Sequence, residues 1–229
     1  MISPSSRRAL PPLVALVALA ALGCVVHRQP LALPPRNTAY VAVLSGEMPE
    51  PITPIARHAW IIANPTGEDA LHRYELLGHA STTTTSDPFD YFGNGDVAIH
   101  GILRPEPAAV RKIMACLEEE TPRYNEEHPT YFPMPGPNSN TYVDQMLRRC
   151  GIPFELPATA IGKDYRGVIG ASVTAGGTGV QLETWLGGVK LGLKEGIEIH
   201  FLGLSLGIDF YPLALIVPVN PGRIGFDDL

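Results

Sequence analysis

The sequence has few cysteines and an excess of negative charge. Three cysteines occur among 229 residues. No two of them are separated by only two residues, which excludes the usual structural zinc sites of the Cys-x-x-Cys type. The formal net charge is −6, and it becomes −8 if Arg7 and Arg8 are removed with a leader segment. Because nucleic acids carry dense negative charge, we expect no nucleic-acid partner.

Motifs for metals and cofactors are also missing. Seven histidines are present, but no His-x-x-x-His pair lies on a predicted helix, so we expect no metal site. Lys163 follows Gly162, yet the next residue is Asp164 rather than the Ser or Thr that a phosphate-binding loop requires. The sequence therefore predicts a protein without a metal or cofactor.

The N-terminal residues 1–24 are predicted to be a targeting segment rather than part of the fold. Arg7 and Arg8 give this segment a positively charged start, and an apolar run follows over residues 9–23. This run is too short to span a bilayer comfortably. It ends in ALGC at residues 21–24, which is similar to the cleavage box of bacterial lipoproteins, in which Cys24 is lipidated and becomes the mature N-terminus. We therefore expect a protein of the bacterial cell envelope that faces the periplasm and is anchored to a membrane through Cys24.

The rest of the chain divides into a tether and one domain. Residues 25–37 are rich in proline and predict a semi-extended tether. Residues 38–229 are enough for one core of ordinary size, so we expect a single globular domain. Cys116 and Cys150 fall in that domain. An oxidising periplasm would allow them to pair, while their positions on apolar helix faces also fit two buried free thiols.

Short apolar segments predict strands in both halves of the domain. The predicted strands cover residues 38–45, 57–64, 71–79, 97–103, 180–186, 196–202 and 213–217. Two helices are predicted between them, one from residue 105 to residue 122 and one that begins at Ser139 and ends before Gly151. Residues 81–94 are polar and predict a loop. This order favours an α+β fold with two main helices and a mostly antiparallel sheet.

The C-terminal third is rich in glycine, and its apolar segments allow two arrangements. They could pack internally, or they could rest against a membrane. Because glycine and proline interrupt them every few residues, they are poor membrane-spanning segments. We therefore expect internal packing.

The start of the second predicted helix is the most informative stretch for function. A rigid turn with the sequence PGP at residues 135–137 leads to Asn138, Ser139 and Asn140. Residues of this type satisfy free backbone N–H groups at a helix start, which explains them as caps. The same place favours negative charge, and hydrolases can put a nucleophile and part of an oxyanion hole there. For Ser139 both interpretations, cap and nucleophile, stay open.

A histidine stands at the beginning of one apolar strand. His58 opens the segment HAWII at residues 58–62, directly before a hairpin turn. A strand histidine beside a helix start can take the proton of a hydroxyl group within hydrogen-bond reach. An isolated histidine in this place is more simply a half-exposed residue of the sheet. Its pairing with the helix that begins at Ser139 favours the functional interpretation.

Two segments resemble papain-like peptidases of the NlpC type. Residues 138–152 are similar to the nucleophile helix of these enzymes, and residues 58–62 resemble their histidine strand. The histidine precedes the helix in this chain. That is the order in circularly permuted members of the superfamily, which include lecithin:retinol acyltransferase-like proteins. The resemblance implies a papain-like architecture of the permuted NlpC type.

The same resemblance implies roles for individual residues. Ser139 would stand in the place of the nucleophilic cysteine, and His58 would be the base. The group that orients His58 would come from the following strand, where His72 and Glu75 are the two candidates. The replacement of cysteine by serine departs from the family pattern, because a serine hydroxyl ionises far less readily than a thiol.

A second resemblance covers almost the whole chain after the leader. The sequence is identified as a member of the bacterial domain of unknown function 3750 family. The segments that carry this resemblance are HAW at 58–60, RYE at 73–75, PGPNSNT at 135–141, AIGKDY at 160–165, GTG at 177–179, EGIE at 195–198, LGL at 202–204 and RIG at 223–225. The family supplies no activity.

Two functions from different classes are compatible with the sequence. The protein could hydrolyse or transfer acyl groups of envelope amides or esters, with peptidoglycan peptides or lipids as ligands. Alternatively, it is a non-catalytic binding or structural lipoprotein that keeps the fold with a degenerate site. Asn138, Ser139 and Asn140 would then donate hydrogen bonds to a ligand or only cap the helix.

Overall fold

Over the residues that the structure describes, the architecture is α+β, as predicted, with two helices and two antiparallel sheets. A computed structural model describes residues 32–93 and 95–226 of the chain. The predicted targeting segment, the predicted lipidation site Cys24 and most of the predicted tether lie outside the described residues. No helix in the described part combines the length and the apolar character needed to cross a membrane.

The first half of the domain is an antiparallel sheet of five strands with two helices on one face. The strands are β1 (Tyr40–Glu47), β2 (Arg57–Asn64), β3 (Leu71–Leu77), β4 (His79–Thr85) and β5 (Val97–Leu103), in the order β4-β3-β2-β1-β5. The helices are α1 (Pro107–Glu127) and α2 (Ser139–Arg149). Strand β4 extends into the predicted loop 81–94, because an edge strand with one face in solvent needs little apolar sequence.

Central strands β1 and β2 are apolar on both faces, so the sheet forms a core on each side. Successive side chains of a strand point to opposite faces. Val43 and Ile61 lie in the core that includes Met146 of α2. Leu44 and Trp60 belong to a second core on the opposite face. The direction of a side chain along β2 therefore decides whether it faces the helices.

Helix α1 is longer than the sequence predicts. The predicted end is near Pro122, because proline lacks the N–H that a helix interior needs, but the helix continues for five residues beyond it. The Thr121 hydroxyl donates to the carbonyl of Leu117 at 2.6 Å. After the proline, Tyr124 is buried, and its hydroxyl donates to the carbonyl of Asn138 at 3.1 Å. Tertiary packing thus stabilises the last turn.

A disulfide joins the two helices. Cys116 of α1 is bonded to Cys150, which follows α2, and their Cα atoms are 5.7 Å apart. The sequence alone does not decide between a disulfide and two free thiols; in the structure the two cysteines form a disulfide. The bond closes a chain segment with a sequence separation of 34 residues, which contains the turn before α2. It therefore holds both ends of that segment against the same core.

The second half of the domain is an antiparallel sheet of seven strands. They are β6 (Ile169–Val173), β7 (Gly179–Thr184), β8 (Gly187–Gly192), β9 (Gly196–Phe201), β10 (Leu204–Phe210), β11 (Leu213–Ile216) and β12 (Arg223–Gly225). Their order in the sheet follows the chain, so each strand pairs with the next through a short turn. The sequence predicts β7, β9 and β11 but not the strands between them, because glycines interrupt the apolar pattern of β8 and β10.

This second sheet buries polar side chains and exposes apolar ones. Lys190, Glu198 and His200 point inward and are at most 3% exposed. On the outer face, Ile199 is 61% exposed and Leu206 is 58% exposed. The prediction that the apolar C-terminal segments pack internally is therefore wrong for most of their apolar residues, although Ala214 and Ile216 of β11 are buried. The alternation along each strand is regular, but the charged side chains take the inner face because they compensate one another there.

Candidate functional site

Asn138 caps helix α2. Its side-chain oxygen accepts hydrogen bonds from the backbone N–H groups of Asn140 at 2.9 Å and Thr141 at 3.1 Å. The Thr141 hydroxyl accepts from the N–H of Asn138 at 3.1 Å, which completes a reciprocal capping box. The Asn138 amide group donates to the carbonyls of Pro133 and Ile161, each at 2.9 Å. Both amide protons are used, so this side chain has no donor left for a ligand.

Asn140 ties the start of the helix to strand β2. Its side-chain oxygen accepts from the N–H of Ala59 at 3.0 Å. Its amide group donates to the carbonyls of Arg57 and Ile161 at 2.9 and 3.0 Å. Strand β2 pairs with β3 only over residues 61–63, so Asn140 takes the hydrogen-bonding position of a neighbouring strand at the start of β2. The first turn of α2 therefore lies at an opening between β2 and β3.

His58 and Glu75 are joined at this opening. His58 Nε2 is 3.1 Å from Glu75 Oε2, and both side chains are buried. Arg73 donates to both carboxylate oxygens, at 2.8 Å and 2.9 Å. Burial alone would raise the pKa of Glu75, but hydrogen bonds from His58 and Arg73 hold it below its usual value. The ionised carboxylate accepts the Nε2 proton, which leaves Nδ1 of His58 able to accept another proton.

Aromatic rings enclose the His58 side chain. The Phe92 ring meets it edge-on with centroids 5.0 Å apart, and the Trp60 ring stacks with centroids 6.0 Å apart. The guanidinium of Arg73 lies 4.5 Å from the centre of the Trp60 ring. His58 is thus on the same face of β2 as Trp60, opposite to Ala59 and the helix-covered core. The contact between β2 and the start of α2 is made by Asn140, which binds the backbone of Arg57 and Ala59 on either side of His58.

Ser139 is the first residue of α2 and is 7% exposed. Its hydroxyl makes no hydrogen bond to any residue that the structure describes. The next two N–H groups of the helix are taken by Asn138, whereas the N–H of Ser139 has no partner within the described ranges. A free hydroxyl and a free N–H at a helix N-terminus are the groups needed to attack a carbonyl and to hold the resulting negative charge.

His72, the other candidate for orienting His58, lies elsewhere. Its Nε2 is 2.5 Å from Glu68 Oε2 in a contact near the surface. Of the two candidates, Glu75 is therefore the one beside His58. Sequence reasoning assigned no role to Arg73, which fixes the Glu75 carboxylate. The available signal is that Arg73 and Glu75 are two residues apart on one strand, so both point to the same face.

A second serine–histidine contact occurs in the same sheet. Ser45 Oγ is 2.7 Å from His100 Nε2 and accepts a hydrogen bond from Arg57 Nε at 2.8 Å. Ser45 is completely buried, so a substrate has no access to its hydroxyl. The contact joins residues that are 55 positions apart, and no local pattern predicts it. Its effect is to hold β1, β2 and β5 together.

A buried ionic network connects the segment after α2 to the inner face of the second sheet. Its members are Lys163, Asp164, Glu183, Lys190, Glu198 and His200. Lys163 Nζ lies 2.6 Å from Asp164 Oδ2, and Lys190 Nζ lies 3.0 Å from Glu198 Oε1. Possible ligand atoms of Asp164, Glu198 and His200 lie within 4.8 Å of one another. The two ammonium groups already neutralise these carboxylates, which removes the electrostatic need for a metal ion.

The network changes the protonation of its members. Burial alone would raise the pKa of Asp164, but Lys163 and His200 hold it well below its usual value. Burial would lower the pKa of His200, whereas Asp164 and the hydrogen bond to Glu183 raise it. Asp164 is therefore ionised, and His200 favours the imidazolium form.

A small cleft lies beside the first turn of α2. Its volume is about 110 Å³, and Leu76, Tyr124, His128 and Pro137 are among its lining residues. Burial lowers the pKa of His128, despite the opposing charge of Glu127, so its imidazole is neutral at physiological pH. The cleft is thus uncharged at its His128 wall and adjoins the turn that leads into the helix.

The fold and the site define an α+β domain in which helix α2 begins beside strand β2, the strand that carries the His58–Glu75 pair. The chain belongs to the family described as protein of unknown function (DUF3750), whose model matches residues 38–165. This confirms the family resemblance, although the match ends before β6 and leaves out the resembling segments from residue 177 onward. Neither a curated protein nor a solved structure matches the chain.

Proposed function

We propose that this protein is a lipid-anchored envelope protein that hydrolyses or transfers acyl groups of amides or esters. In this proposal Ser139 is the nucleophile, His58 is the base, and Glu75 orients His58. The observation that carries it is the unpartnered Ser139 hydroxyl beside a strand whose histidine is already bonded through Nε2 to an ionised carboxylate. One nitrogen of the imidazole is held, and the other is left for the hydroxyl proton.

The reaction would take place in two acyl-transfer steps. As Ser139 Oγ attacks the substrate carbonyl, His58 Nδ1 accepts its proton, and the N–H of Ser139 donates to the oxyanion. The bond to the leaving nitrogen or oxygen then breaks, and that atom takes the proton from His58. An ester on Ser139 remains. Water, or an acceptor alcohol or amine, releases the acyl group by the same proton route.

The fold is proposed to be a papain-like, circularly permuted NlpC-type arrangement. Its support is the placement of the nucleophile candidate at the start of a helix that packs on an antiparallel sheet. The strand that bears His58 precedes this helix in the chain. The departure is that Ser139 replaces the cysteine. A serine needs a base during attack, which explains why a fixed His58 matters more here.

The periplasm-facing envelope location is likewise a proposal. It is supported by the leader pattern that ends at Cys24 and by the bond between Cys116 and Cys150, because disulfides persist mainly in oxidising compartments. Peptidoglycan peptides and lipids are the amides and esters within reach of such a protein, and they are the proposed substrate classes.

The alternative is a non-catalytic binding or structural lipoprotein. Two observations favour it: no hydrogen bond joins Ser139 to His58 in the described part of the chain, and the amide donors of Asn138 and Asn140 are used within the fold. In that case the His58–Glu75 pair would serve only to hold β2 and β3 together where their backbones do not pair.

A fluorophosphonate probe, which reacts with activated serines, distinguishes these functions. We expect labelling of the full-length protein in detergent, and loss of that labelling in Ser139→Ala and in His58→Ala. Ser86→Ala is the matched control, because Ser86 is exposed and its hydroxyl makes no bond to a described residue. Circular dichroism of each variant checks that the fold is kept.

The labelling results decide between the two proposed functions. Labelling that survives in Ser139→Ala would exclude this serine as the nucleophile. Absence of labelling in the folded wild type, with a small and a larger probe, would favour the binding protein.

A further inference from the structure

The outer face of the second sheet is a continuous apolar surface. We define it as the residues of β6 to β12 that point away from the domain; at its centre are Leu182, Ile197, Ile199, Leu206, Ile208 and Leu215. These six are between 45% and 61% exposed. Cross-strand pairing places them side by side, for example Ile199 opposite Leu206 and Ile208 opposite Leu215. No charged residue of β6 to β12 in the described chain points outward, except near the strand ends.

This face is large enough to be an interface. Seven strands at a spacing of about 4.8 Å make it about 30 Å wide, and strands of three to seven residues, most of them five or more, make it about 20 Å long over most of that width. The flat area of this face is therefore on the order of 600 Å². Projecting side chains add to the accessible surface, which brings it close to the roughly 800 Å² per partner that a standard interface buries. Soluble monomers rarely expose an apolar patch of this size without a function for it.

The shape of the sheet favours another sheet as its partner. Neighbouring strands are rotated by about 20° on average, so seven strands accumulate a twist on the order of 120°. A planar bilayer does not follow such a saddle, whereas a second sheet with the same twist does. Two sheets that pack face to face keep their strands within about 30° of each other and lie about 10 Å apart.

The distribution of charge is also compatible with self-association. The inner face carries the ionic network, and its polar groups are bonded within the domain. The outer face brings no charge into an interface with itself, so no ion would be desolvated when two copies meet. The net charge of −6 keeps other parts of the surface in water and disfavours contact with anionic lipids.

We infer that the outer face packs against the outer face of a second copy of this chain, and that the protein is a two-fold dimer. Strand β9, at the centre of the seven strands, lies at the centre of this interface. The same residues then meet their own copies, as in any interface that repeats the same patch on both subunits. The dimer does not depend on the acyl-transfer proposal, because Ser139 and His58 belong to the first half of the domain.

Photo-crosslinking in the full chain tests this inference. A photoreactive phenylalanine analogue replaces Ile199, and cells produce two copies of the protein with different tags. We expect an adduct of twice the chain mass that contains both tags. The same analogue at Leu77, which is 53% exposed on β3, is the matched control and should give no such adduct.

A charged substitution on the outer face gives a second test of the dimer. Leu206→Glu places like charges at the centre of the interface and should abolish the adduct from position 199, while Leu77→Glu should leave it unchanged. Because Leu206 points outward, the circular dichroism spectrum of the variant should match the wild type. An adduct with lipid, an adduct only with another protein, no adduct, or an adduct that persists in folded Leu206→Glu would each overturn the dimer.

Discussion

Removal of the disulfide between the helices should destabilise the domain by an amount set by the length of the chain segment it closes. The perturbation is the double substitution Cys116→Ala and Cys150→Ala. The bonded cysteines are 34 positions apart. For a closed loop of this length, the entropy removed from the unfolded chain corresponds to about 4 kcal/mol at room temperature. Both cysteines are only half-buried, so loss of their packing adds little.

Urea unfolding measures this difference directly. With a dependence of about 2 kcal/mol per molar urea, a loss of 4 kcal/mol moves the unfolding midpoint down by about 2 M. Reductant should lower the midpoint of the wild type toward that of the double variant. It should leave the double variant unchanged, since no other cysteine pair exists in the described domain.

Two results would refute the reasoning. A midpoint shift of less than about 0.5 M would mean that the bond does not restrict the unfolded chain as loop closure requires. Titration of two free thiols in the purified, non-reduced protein would mean that Cys116 and Cys150 are not bonded. The second result would also remove the support that the disulfide gives to a periplasmic location.

Three further substitutions probe the site and the ionic network. Glu75→Gln should slow fluorophosphonate labelling by about 100-fold or more, because His58 loses its orienting carboxylate; an unchanged rate would exclude Glu75 from the mechanism. Asn140→Ala removes the bonds that Asn140 makes to the Ala59 N–H and to the Arg57 carbonyl, while the Ile161 carbonyl keeps its bond to Asn138. The free energy of unfolding should therefore fall by about 2 to 3 kcal/mol, and a fall below about 1 kcal/mol would contradict the bridging role. The pKa of His200 is raised in the folded state. The contribution of His200 to the free energy of unfolding is therefore complete at pH values below the ordinary histidine pKa near 6.5, and it is lost as the pH rises through the raised pKa. The unfolding free energy of the wild type should therefore decrease with rising pH relative to His200→Gln, and parallel curves would refute the charged state of His200.

The first sheet could largely be predicted from the sequence, but its faces could not. The apolar runs that predict strands at 38–45 and 57–64 correspond to β1 and β2. Because β2 is buried along both faces, periodicity does not show on which side α2 packs. The position of His58 on the face of Trp60, opposite to the face that α2 covers, therefore depends on long-range packing.

The candidate site was predictable as a set of residues but not as an arrangement. Ser139, His58 and Glu75 each stand in a segment whose pattern indicates a helix start or a strand. The choice between His72 and Glu75 depends on strand direction and on the Arg73 contact, which no spacing rule fixes. Asn140 shows the same limit, since its bonds to Arg57 and Ala59 cross 83 and 81 positions.

The second sheet shows why a regular pattern can lead to a wrong orientation. Glu198 alternates with Ile197 and Ile199 in the predicted strand 196–202, and the usual rule places the apolar side inward. Here the inner face is polar, because Lys190 finds Glu198 on the neighbouring strand and Asp164 on the preceding segment. Whether charges can be buried depends on partners that are far apart in sequence, and a single strand does not contain that information.

The position of Asp164 has a practical consequence for dividing this chain into parts. The family match ends one residue later, at 165, which makes residues 38–165 an inviting fragment for expression. The partners of this carboxylate include Gln181 and Ser205, which lie on strands beyond that boundary. A fragment cut there would keep Lys163 and Asp164 but lose the sheet that shields them from water. The region that matches the family model and the smallest unit that folds independently therefore end at different residues in this protein.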